Sequence, residues 1–459
     1  MDRELLKRMI RLTVPSVIEY TLQALMNYAD YIMVGSMGVA ASAAIGLTTE
    51  VTWLLKGTVS ALGIGVLAYI SSAIGGKKTD RIKAASVQAI YTSIIIGIVM
   101  TVVSLVISPF VPKWLGADDD IAGISSRYFA ISNAPFLFLS LNMVLGYALK
   151  AAGDMKTPLY VNGTMNIFNI IFNWLLIYPD RDINVFGSAV HIEGADLGIY
   201  GAALGTAIST VLGGLMMIAG FRKNSVVSPS GERYIPDREI ISEFIRVGIP
   251  SMLTRLTSSG GRVIFTGIVA HLGTIVYSSH TISFTAESAF YIPCVGMMSA
   301  VSAMAGTIKG ECDLKKLNRL TKIFCILAAS VMLVMSIFMF IFADKIFCLF
   351  TNDVYVLDTA PKLLRIVALN EPLFAVSIVM ESVFNGIGKT KLPFIAGTVS
   401  QWVFRVVGSL ICLNVFGLGI EAAWICMISD NIFRCILLCT EYIFLNKGLI
   451  PQAEQEVSF

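Results

Sequence analysis

The sequence predicts an all-α integral membrane protein with twelve transmembrane helices, arranged in two six-helix lobes related by a parallel internal repeat. Three observations carry this. The chain is 56% hydrophobic and only 14% charged, against about 25% charged in soluble domains. Apolar runs long enough for a bilayer core of about 30 Å recur from end to end. They lie at roughly 12–34, 47–72, 83–108, 124–149, 158–178, 198–221, 241–269, 276–307, 320–342, 361–386, 393–414 and 421–445. Finally, the chain is written twice at an offset of 235. Ile10-Arg11-Leu12-Thr13-Val14-Pro15-Ser16 returns as Ile245-Arg246-Val247-Gly248-Ile249-Pro250-Ser251. Gly153-Asp154-Met155-Lys156-Thr157-Pro158 returns as Gly388-Lys389-Thr390-Lys391-Leu392-Pro393.

The runs must be helices. Only helices and closed barrels satisfy the backbone in lipid, and these runs are far longer than barrel strands. Loop charge sets the orientation. One side carries 22 of the 34 basic residues, from Arg3, Lys7, Arg8 and Arg11 through Arg222, Lys223, Arg233 and Arg238 to Lys389, Lys391 and Lys447. The other side carries six: Lys113, Arg127, Arg181, Lys345, Lys362 and Arg365. The bias places both termini in the cytoplasm, and it accounts for the net charge of +3 without any nucleic-acid surface. Six spans per half make the two halves enter from the same face, as parallel repeats do. The expected domains are an N-lobe over 1–222, a cytoplasmic linker over 223–240 rich in Ser, Pro, Gly and charge, and a C-lobe over 241–459. The stretch Pro179 to Leu197 reads as a loop. Ala41-Ser42-Ala43 resembles a signal-peptidase site, but the preceding span is too long and holds Asp30, so it is expected to be retained.

Enzyme chemistry finds no foothold. No phosphate loop, nucleophile elbow or zinc signature is present. All eight cysteines lie between Cys294 and Cys439 and read as free, small apolar residues. His191, His271 and His280 show no metal spacing and read as loop or helix-end residues. Asn162-Gly163-Thr164 fits the glycosylation pattern but falls at a span start near the cytoplasm. Pro15, Pro135, Pro250 and Pro372 each remove a helix hydrogen bond and permit bends. Gly201, Gly205, Gly213 and Gly214 read as close-packing surface.

A resemblance follows from several motifs together. Leu12 and Pro15 precede Asp30-Tyr31-Ile32-Met33-Val34-Gly35-Ser36-Met37-Gly38 and the small residues Ala40, Ala41, Ala43 and Ala44. The Gly153 to Pro158 loop, His280-Thr281-Ile282, Glu287 and the Pro293 to Gly296 stretch add to them. The chain resembles the MATE (multidrug and toxic compound extrusion) transporters over essentially its whole length. The resemblance implies export of small cationic or amphipathic organic compounds by alternating access, driven by inward sodium or proton flow. It implies no cofactor, a plasma (inner) membrane location and function as a monomer. The alternative function is a flippase for a lipid-linked sugar from the same wider superfamily, though such flippases usually carry two further spans.

Asp30 is the first candidate for cation coupling. It lies about twenty residues into the first span, where a charge costs roughly 2.5–3.5 kcal/mol on insertion scales. Burial favours the neutral form of a carboxylic acid and a bound cation favours the charged form, so such a group can exchange a proton or sodium. Asn169 and Asn173, four apart on one face of the fifth span, can offer amide oxygens to sodium or hydrogen bonds to Asp30. In the NorM type of the resembled family, two asparagines at this spacing line the N-lobe cavity. The alternative for these asparagines is interhelical hydrogen bonding. Asn166, Tyr28, Asn27 and Thr206 are weaker candidates.

The second half departs from that pattern. Ser258 and Phe374 stand where the NorM type carries acids. Instead, Arg255, Arg262, Glu287, Glu381, Arg405, Asp430 and Arg434 lie at membrane depth. Four cations against three acids suggest mutual pairing, as buried charge requires, serving either as structural glue or as substrate contact. Glu50 and Lys56 are expected to form a smaller pair in the second span.

Overall fold

The computed structural model describes residues 3–456 apart from 36, 186–187, 233, 349–350 and 352. Ser36 and Arg233, both used above, lie outside the described residues. The first six passages are α1 (Arg3–Gly35), α2 (Val39–Gly75), α3 (Thr79–Ile107), the short α4 (Val111–Trp114) with the bent pair α5 (Asp119–Asn133) and α6 (Phe136–Ala151), then α7 (Lys156–Ile177) and α8 (Gly198–Lys223). The next six are α9 (Arg238–Ala270), α10 (Thr274–Phe290) with α11 (Ile292–Gly310), α12 (Leu314–Phe347), α13 (Val354–Ala368) with α14 (Glu371–Gly386), α15 (Lys391–Ser400) continued by π-helical turns at Gln401–Gly408 and Ile411–Val415, and α16 (Ile420–Glu456).

Among the described residues, seven of these helices are long and apolar enough to cross a membrane alone, and two bent pairs bring the number to nine. The remaining passages, α1, α7 and α9, are 33, 22 and 33 residues long. They are the polar ones: α1 carries Glu19 and Asp30, α7 four asparagines, and α9 Arg255 and Arg262.

The duplication is visible in the backbone. Residues with left-handed φ recur at the same offset: Gly38 at 107° and Gly273 at 112°, Lys77 at 54° and Cys312 at 57°, Gly153 at 78° and Gly388 at 76°. After α6 the N–H of Asp154 closes onto Leu149 O at 3.0 Å, and after α14 that of Lys389 closes onto Phe384 O at 2.9 Å. These are the glycine-capped helix ends that the repeated motif encodes. The carboxylate of Asp154 then accepts the N–H and hydroxyl of Thr157, at 3.0 and 2.7 Å, which starts α7.

The bends recur as well. The α5–α6 pair turns by 47° at Pro135 and the α13–α14 pair by 53° just before Pro372. By contrast, α1 and α9 are continuous helices through Pro15 and Pro250.

Polar contacts between first and fifth passages share one register. Asn162 donates to Glu19 (2.7 Å) and Asn173 to Asp30 (2.8 Å), while in the second half Thr390 donates to Val247 O (2.7 Å) and Gln401 to Ser258 O (2.9 Å). All four pairs are 143 residues apart.

The chain forms two compact units, one of Met1–Val66 with Thr79–Phe244 and one of Leu67–Lys78 with Ile245–Phe459. In the first, the stretch between α8 and α9 is docked on α3. Gln88 Nε2 donates to Ile235 O and Tyr91 Oη to Tyr234 O, both at 2.8 Å. In the second, the end of α2 lies against α11 without room for side chains: a Cβ on Gly75 would fall 1.8 Å from Thr307 O and one on Gly310 2.0 Å from Ser72 O.

One element is not anticipated. The stretch read as a loop holds an antiparallel hairpin, β1 (Arg181–Val185) and β2 (Ser188–Ile192). Its β-branched Ile183, Val185, Val190 and Ile192 alternate, but the Asn-Gly turn signal that marks hairpins is absent. Cross-strand partners Asp182 and His191 pair at 2.7 Å. Asp182's hydrogen bond and charge hold the His191 imidazole above its usual proton affinity. Arg181 stacks on Trp174 and Tyr178, at 4.0 and 4.7 Å, and ties the hairpin to the end of α7.

An ion pair fastens α1 to α6 and α7. Glu19 is 8% exposed and meets Lys150 at 3.0 Å; Asn162 joins them, and Asn142 Nδ2 donates to Asn162 Oδ1 at 3.0 Å. Removing one partner of a buried pair leaves the other charge stranded. Glu19→Ala should therefore destabilise the purified protein by about 3 kcal/mol, and the Glu19→Ala/Lys150→Met double variant should recover much of that loss. Thermal unfolding followed by tryptophan fluorescence measures both.

Candidate cation site and buried charges

The candidate site of the first unit assembles from α1, α7 and α8. Asn169 and Asn173, four apart on α7, are 0% and 1% exposed. Asn173 Nδ2 donates to Asp30 Oδ1 at 2.8 Å and to Asn169 Oδ1 at 3.1 Å. Asn169 Nδ2 in turn meets Thr206 Oγ1 and Ser209 Oγ of α8, each at 3.3 Å. The result is a continuous chain from carboxylate through two amides to two hydroxyls. Gly205 makes it possible: a Cβ there would lie 2.2 Å from Asn173 Oδ1. That oxygen is buried and has no hydrogen-bond partner, so it is an uncommitted acceptor beside the carboxylate. Oxygens from Asp30, Asn173, Asn169 and Thr206 are the hard donors a sodium ion prefers, and the same carboxylate can take a proton. No group of three or more His, Cys, Asp or Glu suited to a metal ion occurs among the described residues.

Thr206, ranked low in the sequence, belongs to the chain. Tyr28 and Asn27 are exposed and stand apart from it. Asn166 is buried on α7 with its Nδ2 unpartnered.

Several expected pairings differ. Glu50 and Lys56 form no ion pair among the described residues; Glu50 is exposed, and the acid within electrostatic reach of Lys56 is Asp30. Helix geometry explains this, because residues three or four apart face each other and residues six apart do not. In the second unit, Asp430 is fully buried and shared by Arg405 (2.9 Å) and Arg434 (3.2 Å). Glu287, buried on α10, is within electrostatic reach of Arg405, but its Oε2 has no hydrogen-bond partner. Glu381 is half-buried and has no ion pair among the described residues. Arg255 and Arg262 are exposed on α9. Of the expected pairings, the ion pairs of Asp430 with Arg405 and Arg434 are formed. His280 is not a helix-end residue; it is buried within α10, edge-on to Phe265 at 5.5 Å and Trp424 at 5.8 Å. All eight cysteines are free thiols.

Two groups escaped the sequence reading. Glu371 opens α14, fully buried and within electrostatic reach of Glu287. Glu19 meets the criterion that singles out Asp30, an acid inside an apolar run, and that signal was available. Its partner Lys150 lies just past an expected span end and Asn162 within the sequon; only the fold brings them together.

Comparison with known proteins agrees with this architecture. The MatE family model matches residues 15–175 and again 250–411. The chain is 25% identical to the probable multidrug resistance protein NorM of Thermotoga maritima, covering 95% of this chain and 91% of that one. It is also 25% identical to the multidrug export protein MepA of Staphylococcus aureus, over 98% and 96% of the two chains. Among solved structures, a MATE transporter in a bent conformation superposes with a TM-score of 0.89 at 22% identity, over 98% and 97%. A MOP-superfamily transporter from Pyrococcus furiosus gives 0.88 at 23%, over 96% of each chain. With both halves matched by one family model, the chain belongs to the MatE family, membrane transporters and not enzymes.

Proposed function

We propose that this protein exports small amphipathic organic compounds across the plasma membrane, coupled to inward sodium or proton flow through Asp30. The hydrogen-bonded chain from Asp30 through Asn173 and Asn169 to α8 carries the reading. A carboxylate at membrane depth is costly unless it is used, and one held by amides has two stable occupancies, protonated or cation-bound. Relatives named for multidrug resistance and multidrug export support export as the direction. The basic bias of one set of loops supports cytoplasmic termini. The site needs nothing from a second copy, so the protein works as a monomer. Release of the cation on the inner side and of the compound on the outer side requires alternating access, because a ligand shifts a two-state protein only by its differential affinity.

Dye efflux from everted vesicles, with sodium and proton gradients imposed separately, tests the reading. Asp30→Asn is nearly isosteric and removes the exchangeable charge. It should express normally and lose gradient-driven efflux; unchanged efflux would remove Asp30 from the mechanism. Asn173→Ala and Asn169→Ala should weaken the apparent cation affinity by roughly 10–100-fold, as loss of supporting ligands does.

Gly205→Ala adds a methyl where Asn173 Oδ1 sits. It should cost about 1–3 kcal/mol in stability and reduce coupling in the same direction as Asn173→Ala. Alternating access is checked by spin labels at Met37 and Leu272, repeat-equivalent positions at the ends of α1 and α9. Two distance populations should appear and shift with the driving ion.

A further inference from the structure

The asparagines of α7 extend beyond the candidate cation site. Asn162, Asn166, Asn169 and Asn173 are spaced four, three and four residues apart. At about 100° per residue they stay within about 60° of one another around the helix. Asn166, Asn169 and Asn173 are each more than nine-tenths buried. The opposite face carries Tyr160, Ile167 and Ile171, all exposed, as suits a surface turned to lipid. On α1, Glu19, Gln23 and Asp30 also share one face. The ladder of asparagines runs about 16 Å, from the level of Asp30 to that of Glu19.

Three of the four amides are hydrogen-bonded across helices. Asn173 donates to Asp30, Asn169 meets Thr206 and Ser209, and Asn162 donates to Glu19. Asn166 differs. It is 7% exposed, and its buried Nδ2 has no partner among the described residues. Helix-to-helix glue does not account for it, because an amide buried without a partner destabilises the fold. An apolar side chain would be more stable there. Polar groups at membrane depth mark ion pathways, and Asn166 is the rung between Asn169 and Asn162.

We propose that Asn166 and Asn162 continue the chain of Asp30, Asn173 and Asn169 as the inner route of a sodium ion, which passes from amide to amide along α7. Side chains three or four residues apart on a helix are about 5–6 Å apart, a short step for an ion. The chemistry selects sodium over a proton. An amide oxygen ligates a metal cation, but the amide does not titrate and cannot hand a proton on. Asn162 lies six residues, about 9 Å, from the start of α7, the end that loop charge assigns to the cytoplasm. Glu19 beside it is held at 3.0 Å by Lys150, so its charge is cancelled and does not trap the departing ion. The inference rests on the coupling reading and names its ion and its path.

Exchange of radioactive sodium tests it, in proteoliposomes with equal sodium on both sides and no other substrate. Asn166→Leu should slow exchange about tenfold or more, the effect on a barrier of one lost contact to a charged group. Asn166→Ser restores an oxygen and should fall between. Equilibrium sodium binding to the purified variants should stay within about twofold of the parent, since Asn166 touches none of the residues holding the ion at Asp30. Asn166→Leu should also melt at the same or a higher temperature, which a structural amide would not allow. An unchanged exchange rate in Asn166→Leu, or a loss of binding that matches the loss of exchange, would overturn the route. The variant Asp30→Asn separates the two readings. If it binds sodium like the parent while Asn166→Leu still slows exchange, Asp30 leaves the mechanism and the route stands. Asp30-dependent proton exchange with no sodium exchange would overturn the route and leave Asp30 in place.

Discussion

The cost of placing an ionisable group inside a bilayer organises this molecule. Every such group must be paired, neutralised or set against water. The three passages that fall short of the hydropathy expected of a span, α1, α7 and α9, are those that carry most of the candidate site, Glu19 of the clamp with Lys150, and Arg255 and Arg262. Their poor hydropathy follows from the same residues that give them something to do. The surrounding spans supply the apolar bulk that lets these three be polar.

The polar groups also set the register of the first unit. Asn162 reaches Glu19 and Asn173 reaches Asp30 with the same separation, so one helix pair is latched at two levels eleven residues apart. The lower latch is an ion pair closed by Lys150, and the upper is a carboxylate held by an amide. Only the upper one has an uncommitted acceptor beside it, Asn173 Oδ1. Under the proposed coupling, that difference separates a group that holds from one that exchanges. Gly205 enforces the distinction, because any larger residue would push the amide off the carboxylate.

What was legible in the sequence had a short-range or periodic signature. The 235-residue repeat and the bends at Pro135 and Pro372 depend on local chemistry and could be read directly, whereas the same proline signal at Pro15 and Pro250 falls within continuous helices. Asp30, Asn169 and Asn173 could be read because an acid in an apolar span and two asparagines four apart are conspicuous. The Glu50–Lys56 pairing failed because a helix turns them to different faces. Asp430 does pair with Arg405 and Arg434, but Glu381 forms no ion pair among the described residues, because ionic balance says nothing of distance. Glu19 with Lys150 is a contact across 131 residues with no motif at either end, and the hairpin at Arg181 lacks the turn residues that announce one. Sequence carries the period of an element well, and carries tertiary partnership only where a second constraint fixes it.

Duplication kept the backbone and let the chemistry diverge. The repeat mate of Asp30 is Phe265, which is 3% exposed within an aromatic core with Trp424. Asn169 and Asn173 correspond to Phe404 and Gly408, so nothing of the exchange chain survives in the second half. The reverse also holds. Arg405 corresponds to Ile170, and Arg255 and Arg262 to Tyr20 and Asn27. Two copies of one scaffold thus place an acid with neutral amides in one unit and a carboxylate shared by two guanidiniums in the other. A single ancestral site retained twice would give two like-charged sites. The two units thus carry different buried polar groups on a shared helical frame, and the shared frame allows both to be built without new backbone.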